Sequence, residues 1–129
     1  MSLYELLYVS ELSPATSTDA VSDIFVRSRC INAQHGLTGL LVFDGARFIH
    51  YLEGIKDDAL ALMQRIERDS RHRAVARLHE GPAKSRRFNA FGVGYWYVGD
   101  DQQLTELKRL MGPSALDKFL AVMHEFDVF

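Results

Sequence analysis

The chain has 129 residues, of which 47% are hydrophobic and 25% charged, a composition typical of one folded domain and not of a disordered or fibrous chain. Fifteen Lys and Arg against seventeen Asp and Glu give a formal net charge of -2, which disfavours nucleic acid and anionic membrane surfaces as partners. A single cysteine, Cys30, excludes an internal disulfide, and no apolar run approaches the ~18 residues of a membrane span. These features predict a cytoplasmic protein that is neither secreted nor membrane-spanning.

The first two predicted elements are a strand and a helix. Leu, Tyr and Val dominate Leu3–Ser10, a short run that predicts a strand. Ser17 or Thr18 is the predicted cap of a helix that ends before Gly36. Helical spacing along this segment is seen for Val21, Ile24, Phe25, Ser28 and Ile31.

A hairpin and a second helix follow. The apolar runs Leu37–Phe43 and Arg47–Leu52 flank Asp44-Gly45, a dipeptide that tolerates the positive backbone angles of a tight turn. They are therefore predicted to pair as antiparallel strands. Lys56–Asp69 is predicted to form an amphipathic helix, whose apolar face consists of Ala59, Leu60, Leu62, Met63 and Ile66.

The remaining sequence predicts two strands and two short helices. Ala74–Leu78 and Phe88–Val98 have strand composition, and Gly81–Lys84 between them has loop composition. Gly112-Pro113 divides two helical apolar stripes. The stripes consist of Leu104, Leu107, Leu110 and Met111, and of Leu116, Phe119, Leu120 and Met123.

The element order β-α-β-β-α-β-β predicts an α+β, ferredoxin-like sheet with two helices on one face, followed by two C-terminal helices. The sequence contains no repeat, low-complexity segment or long linker. We expect one domain over residues 1–98 and a C-terminal helical extension over residues 99–129. The apolar stripes of the extension are expected to pack on the domain or on a partner.

Signatures of catalysis and metal binding are absent from the sequence. It contains no Gly-x-Ser-x-Gly elbow, no His-Glu-x-x-His helix and no Walker loop. The five histidines, at positions 35, 50, 72, 79 and 124, lie on different predicted elements without an i, i+4 pair. This distribution disfavours a metal site.

Five polar residues lie within runs that are predicted to face the core: Tyr8, Ser28, Arg29, Asn32 and His50. One interpretation is that these groups satisfy one another or backbone carbonyls. The other is that they surround the rim of a planar heterocycle, with Ile24, Leu41 and Ile66 against its faces. Periodicity alone leaves both interpretations open.

Several short segments resemble the BLUF family of flavin-binding blue-light sensors. They are Leu6–Ser10, Ser28–Asn32, Gly36–Leu41, Phe48–Gly54, Asp69–His72 and Arg86–Phe88. The match runs in order from about Leu3 to Val98. It implies a ferredoxin-like fold in which the flavin ring lies between the two helices that pack on the sheet.

The resemblance assigns roles to individual residues. Tyr8 corresponds to the tyrosine that donates an electron and a proton to the photoexcited flavin, and Asn32 to the asparagine that holds the ring edge. Ser28 faces the ring in the family pattern, and Arg29 is expected to serve structure. The other implied flavin-binding residues are Ile24 and Ile66, which sandwich the ring, and Arg71 and His72, which supply a cation near the ribityl-phosphate end.

His50 stands where the family pattern Phe-x-Gln-x-Leu-Glu-Gly has its glutamine. A glutamine amide carries a donor and an acceptor and can rotate or tautomerise, whereas an imidazole holds one of each in fixed, divergent directions. We therefore expect flavin binding without the usual photocycle. Phe91 and Val93 replace the Trp and Met of the family pattern Phe-x-x-Trp-x-Met, which predicts altered signal transmission to the sheet.

The resemblance implies a short, stand-alone sensor that binds FAD noncovalently, with FMN as the other candidate. Without an output domain after the two final helices, it is expected to form a homo-oligomer and to engage an unidentified protein signalling partner. His50, Phe91 and Val93 favour a second interpretation, a degenerate flavin-free scaffold for protein-protein interaction. A third, a flavin-dependent redox enzyme that uses Tyr8 or His50 for proton transfer, has no supporting motif.

Overall fold

The computed structural model describes residues 2–96 and 102–129, without the side chains of residues 102–104 and 108. Its elements are β1 (Leu3–Leu12), α1 (Ala20–Gln34), β2 (Thr38–Phe43), β3 (Arg47–Ile55), α2 (Lys56–Arg68), β4 (His72–Pro82), β5 (Phe91–Tyr95), α3 (Gln102–Arg109), α4 (Pro113–Val122), a 3₁₀ turn (Met123–Glu125) and β6 (Asp127–Val128). The predicted strand end at Val98 and the predicted boundary between residues 98 and 99 lie outside the described residues, as does the Leu104 side chain.

Within the described residues, six strands form one mixed sheet in the order β4-β1-β3-β2-β5-β6. β3 lies antiparallel between β1 and β2, β4 pairs antiparallel with β1, and β5 adds parallel to β2. Because β1-α1-β2 and β3-α2-β4 are the two connected units, the predicted α+β, ferredoxin-like fold is confirmed.

The predicted hairpin is present and sets the register of the central strands. Gly45 adopts a φ of 107°, and the Asp44 carboxylate accepts the backbone N–H groups of Ala46 at 3.0 Å and Arg47 at 2.7 Å. These bonds hold the turn between β2 and β3. The resulting register places His50 opposite Tyr8 on one side and Leu41 on the other.

The two faces of the sheet carry different cores, because successive strand residues point to opposite faces. One continuous core lies between the sheet and the C-terminal helices, where Leu7, Tyr51 and Trp96 pack with Leu107 of α3 and Phe119 of α4. The opposite face carries two separate clusters. One cluster packs beneath α1 and includes Val21, Ile24, Phe25, Leu41, Phe48 and Phe91. The other packs beneath α2 and includes Leu6, Leu37, Leu52, Ala59, Leu62 and Met63.

Several predicted element ends are wrong because pairing between strands overrides local composition. β4 runs over His72–Pro82, not Ala74–Leu78, because it pairs along β1, and β1 in turn extends two residues past Ser10. The strand at the predicted Gly81–Lys84 loop tolerates Pro82 because β4 is an edge strand. β5 begins at Phe91 rather than at residue 88.

Two further differences from the prediction concern the start of α1 and a short strand near the C-terminus. The predicted cap at Ser17 or Thr18 is wrong, because α1 begins at Ala20 with Asp19 at the N-cap position. The Ser17 hydroxyl accepts the backbone N–H of Asp19 at 3.2 Å in the turn before the helix. The two-residue strand β6 pairs with Gly94 and Tyr95 and is not predicted from the sequence. No helix among the described residues is long and apolar enough to cross a membrane.

Candidate functional site

A cavity of about 230 Å³ lies between α1, α2 and the sheet. The structure brings all eight of the sequence-predicted site residues to its wall. They are Tyr8, Ile24, Ser28, Asn32, His50, Ile66, Arg71 and His72. Leu41, which the sequence analysis named as an apolar contact, also lines the cavity, whereas Arg29 lies exposed elsewhere and donates to the Phe129 carbonyl.

Tyr8 and His50 form the polar centre of the cavity floor. Their side chains are both 1% exposed, and the Tyr8 hydroxyl is hydrogen-bonded to His50 Nδ1. Burial lowers the pKa of His50 to about 3, with a smaller contribution from nearby His72. Burial also raises the pKa of Tyr8 well above its ordinary value. At neutral pH the pair is therefore an uncharged phenol and an uncharged imidazole.

Three buried polar atoms on the cavity wall lack a hydrogen-bond partner among the described residues. They are His50 Nε2 and both amide atoms, Oδ1 and Nδ2, of Asn32. An unsatisfied buried polar group costs roughly 1–3 kcal/mol, and a ligand that supplies partners to these atoms removes that cost. Because the atoms include a donor and an acceptor, they fit the rim of a heterocycle that carries both.

Apolar side chains complete the walls of the cavity. Ile24 of α1 and Ile66 of α2 line it together with Leu41 of β2 and Leu62 of α2. Such a combination of aliphatic walls with a few polar atoms is typical of sites for planar organic cofactors. The donors and walls present thus fit a flavin ring.

Two residues of β5, Phe91 and Val93, lie on the same face of the sheet and stand where the family pattern has Trp and Met. Phe91 and Val93 are 6% and 2% exposed and pack in the cluster beneath α1. The Phe91 ring lies edge-on to the His50 ring, with 5.3 Å between their centroids. His50 is therefore held on one side by Tyr8 and on another by Phe91.

The segment after α2 supplies a paired cation and a neutral histidine. Arg71 donates to both carboxylate oxygens of Asp69, at 2.7 Å from Nη2 and 3.1 Å from Nε. His72 Nδ1 lies 3.0 Å from the Ser10 hydroxyl, and its ring packs on Phe48. Burial lowers the pKa of His72, so it is neutral at pH 7 rather than a second cation beside Arg71.

Sequence reasoning missed two exposed cations at the cavity. Arg27 of α1 and Arg65 of α2 both line it. Each directly precedes a residue that was predicted for the site, Ser28 and Ile66 respectively. Their position next to predicted site residues is the sequence feature from which these two arginines could have been found. Of the described residues that line the cavity, Arg71 carries a third positive charge and Asp69 carries a negative charge.

Similarity to known proteins covers most of this chain. The family model described as BLUF, sensors of blue-light using FAD, matches residues 3–94. The photoactivated adenylate cyclase subunit beta of Euglena longa is 33% identical over 88 residues, which cover 68% of this chain and 10% of that protein. The chain thus spans about a tenth of the length of the curated relatives that it matches.

Solved structures show the same fold. The dark-state structure of the BLUF protein BlrB has a TM-score of 0.74 and 25% identity, and the alignment covers 92% of each chain. BlrP1 of Klebsiella pneumoniae, solved with FMN and cyclic diGMP, has a TM-score of 0.68 and 30% identity over 84% of this chain and 30% of that chain.

Proposed function

Since this chain belongs to the BLUF family of blue-light sensors, we propose that it binds FAD noncovalently in the cavity between α1 and α2. Flavin binding and blue-light sensing are properties of the family, and the choice of FAD is the proposal. FMN, which is present in the BlrP1 structure, is the other candidate. We also propose that the domain has no enzymatic activity of its own.

The observation that carries the proposal is the group of unpartnered polar atoms between aliphatic walls. We expect the Asn32 amide both to donate a hydrogen bond to the edge of the flavin ring and to accept one from it. We expect His50 Nε2 to form a further hydrogen bond with the ring. Ile24 and Ile66 are to pack on the ring faces, and Ser28 contributes a hydroxyl at the rim. The flavin supplies the absorption of blue light.

The photocycle is proposed to differ from that of family members with a glutamine. His50 Nδ1 is bonded to Tyr8, so its Nε2 points to a fixed place in the cavity. Turning the ring out of its present plane breaks the bond to Tyr8 and the edge-on packing against Phe91. An imidazole in this position is therefore expected to bind flavin yet to hold a single hydrogen-bond arrangement under illumination.

Titration of the purified protein with FAD tests the proposal. We expect saturable binding with quenched flavin fluorescence, and a Kd about 5- to 150-fold weaker in Asn32→Ala, since roughly 1–3 kcal/mol of hydrogen bonding is lost. Exposed Asn89 serves as the matched control, and Asn89→Ala is expected to bind as the parent does. A protein that takes up no FAD on refolding contradicts the proposal and favours the flavin-free scaffold.

The cations at the cavity provide a test for a contact with the flavin phosphate. Arg65→Gln is expected to weaken binding of FAD and FMN roughly three- to tenfold and to leave riboflavin unchanged, because only the first two carry phosphate. Exposed Arg68 on the same helix does not line the cavity, so Arg68→Gln is the control. Equal losses for all three flavins contradict a phosphate contact. Mass spectrometry of the released chromophore distinguishes FAD from FMN.

The proposal extends to the setting in which the sensor works. A homo-oligomer, a cytoplasmic location and a protein signalling partner stay predictions of the family resemblance. The partition of residues 1–98 and 99–129 into a flavin-binding domain and a helical extension also stays a prediction. In the described part of the extension, α4 packs on the sheet through Leu116 and Phe119.

A further inference from the structure

A fully buried carboxylate lies on the face of the sheet opposite the cavity. Glu53 of β3 is 0% exposed. It accepts hydrogen bonds from the hydroxyls of Tyr51 and Thr38, each at 2.8 Å. The backbone N–H groups of Arg87 and Phe88 also donate to it at 2.9 Å. Charge-assisted bonds of this kind are stronger than neutral ones, which explains how the sheet tolerates a buried charge.

The two backbone donors come from a segment that has no regular secondary structure. Residues 83–90 belong to neither a strand nor a helix, so the backbone N–H groups of Arg87 and Phe88 find in Glu53 the acceptor that a neighbouring strand supplies elsewhere. Two side chains reinforce this docking. Arg86 donates to the Thr38 hydroxyl at 2.9 Å, and the Phe88 ring packs on Tyr51 at 5.5 Å.

The docked segment leads directly into β5. Phe88 lies three positions before Phe91, the first residue of the strand, and Gly39 donates to the carbonyl of the intervening Ala90 at 3.2 Å. The strand therefore enters the sheet at a place that Glu53 fixes. A slip of one residue in β5 turns Phe91 away from the cavity face and away from His50.

We propose that Glu53 is a positioning residue whose carboxylate sets the register of β5 and so keeps the Phe91 ring against His50. The positioning of Phe91 by Glu53 does not depend on a bound flavin. The importance of the Phe91 contact for light sensing rests on the proposed function. Glu53 and the cavity lie on opposite faces of the sheet, so its effect on a bound flavin passes through β5.

The test uses NMR of the flavin-free protein with ¹³C-labelled histidine rings, in which the His50 resonances are assigned by their loss in His50→Gln. Phe91→Leu shows where these resonances move when the aromatic contact is removed. We expect Glu53→Leu to move them in the same direction, and Glu53→Gln, which keeps one acceptor oxygen, to move them less. Tyr51→Phe removes a hydroxyl from the same carboxylate and leaves both backbone donors, so it is expected to leave them in place.

A folded Glu53→Leu protein with unmoved His50 resonances overturns the proposal. If that variant does not fold, amide exchange in the unaltered protein decides. The N–H groups of Arg87 and Phe88 are then expected to exchange as slowly as those of β5, and exchange at the rate of an open loop overturns the proposal. Because both readouts are taken without flavin, a failure to bind FAD leaves them unaffected, and their failure leaves FAD binding unaffected.

Discussion

His50→Gln is expected to give a flavin-loaded protein whose absorption bands shift reversibly to the red under blue light, where the parent protein shows no such shift. The amide reaches the same part of the cavity floor and carries a donor and an acceptor on one rotatable group. It can therefore exchange one hydrogen-bond arrangement for another, which the fixed imidazole between Tyr8 and Phe91 does not do. Absorption spectra before illumination, after it and after dark recovery measure the effect.

Two variants decide whether the gain arises from the expected pair. Tyr8→Phe in the His50→Gln background is expected to abolish the shift, because the phenol that bonds to position 50 is then absent. His35→Gln, an exposed substitution at the end of α1, is expected to behave as the parent. A flavin-loaded His50→Gln protein without a shift contradicts the expectation and assigns the defect to Phe91, Val93 or the geometry of the cavity.

Acid is expected to destabilise the flavin-free protein through the same histidine. The folded state holds His50 neutral with a pKa of about 3, whereas the unfolded chain takes up a proton near the ordinary value of about 6.5. Between these two values the unfolded state binds more protons, so the free energy of unfolding falls as pH falls, by about 1.4 kcal/mol per unit at most. Below about pH 3 both states are protonated and the decline from this group ends.

Urea unfolding at about pH 6 and about pH 4 measures this dependence. From His50 alone we expect a loss of roughly 2–3 kcal/mol between the two conditions, and His72, whose pKa is also lowered by burial, acts in the same direction. In His50→Gln the loss is expected to be smaller by that amount, and in His35→Gln to equal that of the parent. An identical loss in all three proteins means that His50 is not buried neutral in solution.

Local pattern predicted most of the elements that surround the cavity. The Asp44-Gly45 turn and the apolar stripe of α2 each reflect interactions within a short stretch of chain, and both are present where expected. The bounds of β4 and the start of β5 differ from the prediction because pairing with β1 and docking on Glu53 decide them. Such long-range partners leave no signature in the composition of the strand itself.

The residues of the candidate site also divide into those that the local sequence predicts and those that depend on long-range packing. Tyr8, Asn32 and His50 could be identified because polar residues stood within runs of apolar ones and matched a family pattern. Arg27 and Arg65 were missed, since an exposed arginine on a helix is ordinary and only the packing of α1 and α2 brings these two to one cavity. Glu53 stood in a buried run as well, but its partners at Arg87 and Phe88 lie more than thirty positions away along the chain.

The division of the helix-facing core into two clusters has a consequence for how the protein opens. α1 and α2 each rest on their own apolar cluster, and the cavity lies between them, whereas the C-terminal side is one continuous core. Before a ligand bridges the two helices, either one can detach without exposing the cluster of the other. We therefore expect the flavin-free protein to open first on the cavity side, which would give a large ring a route of entry while the sheet and α4 stay folded.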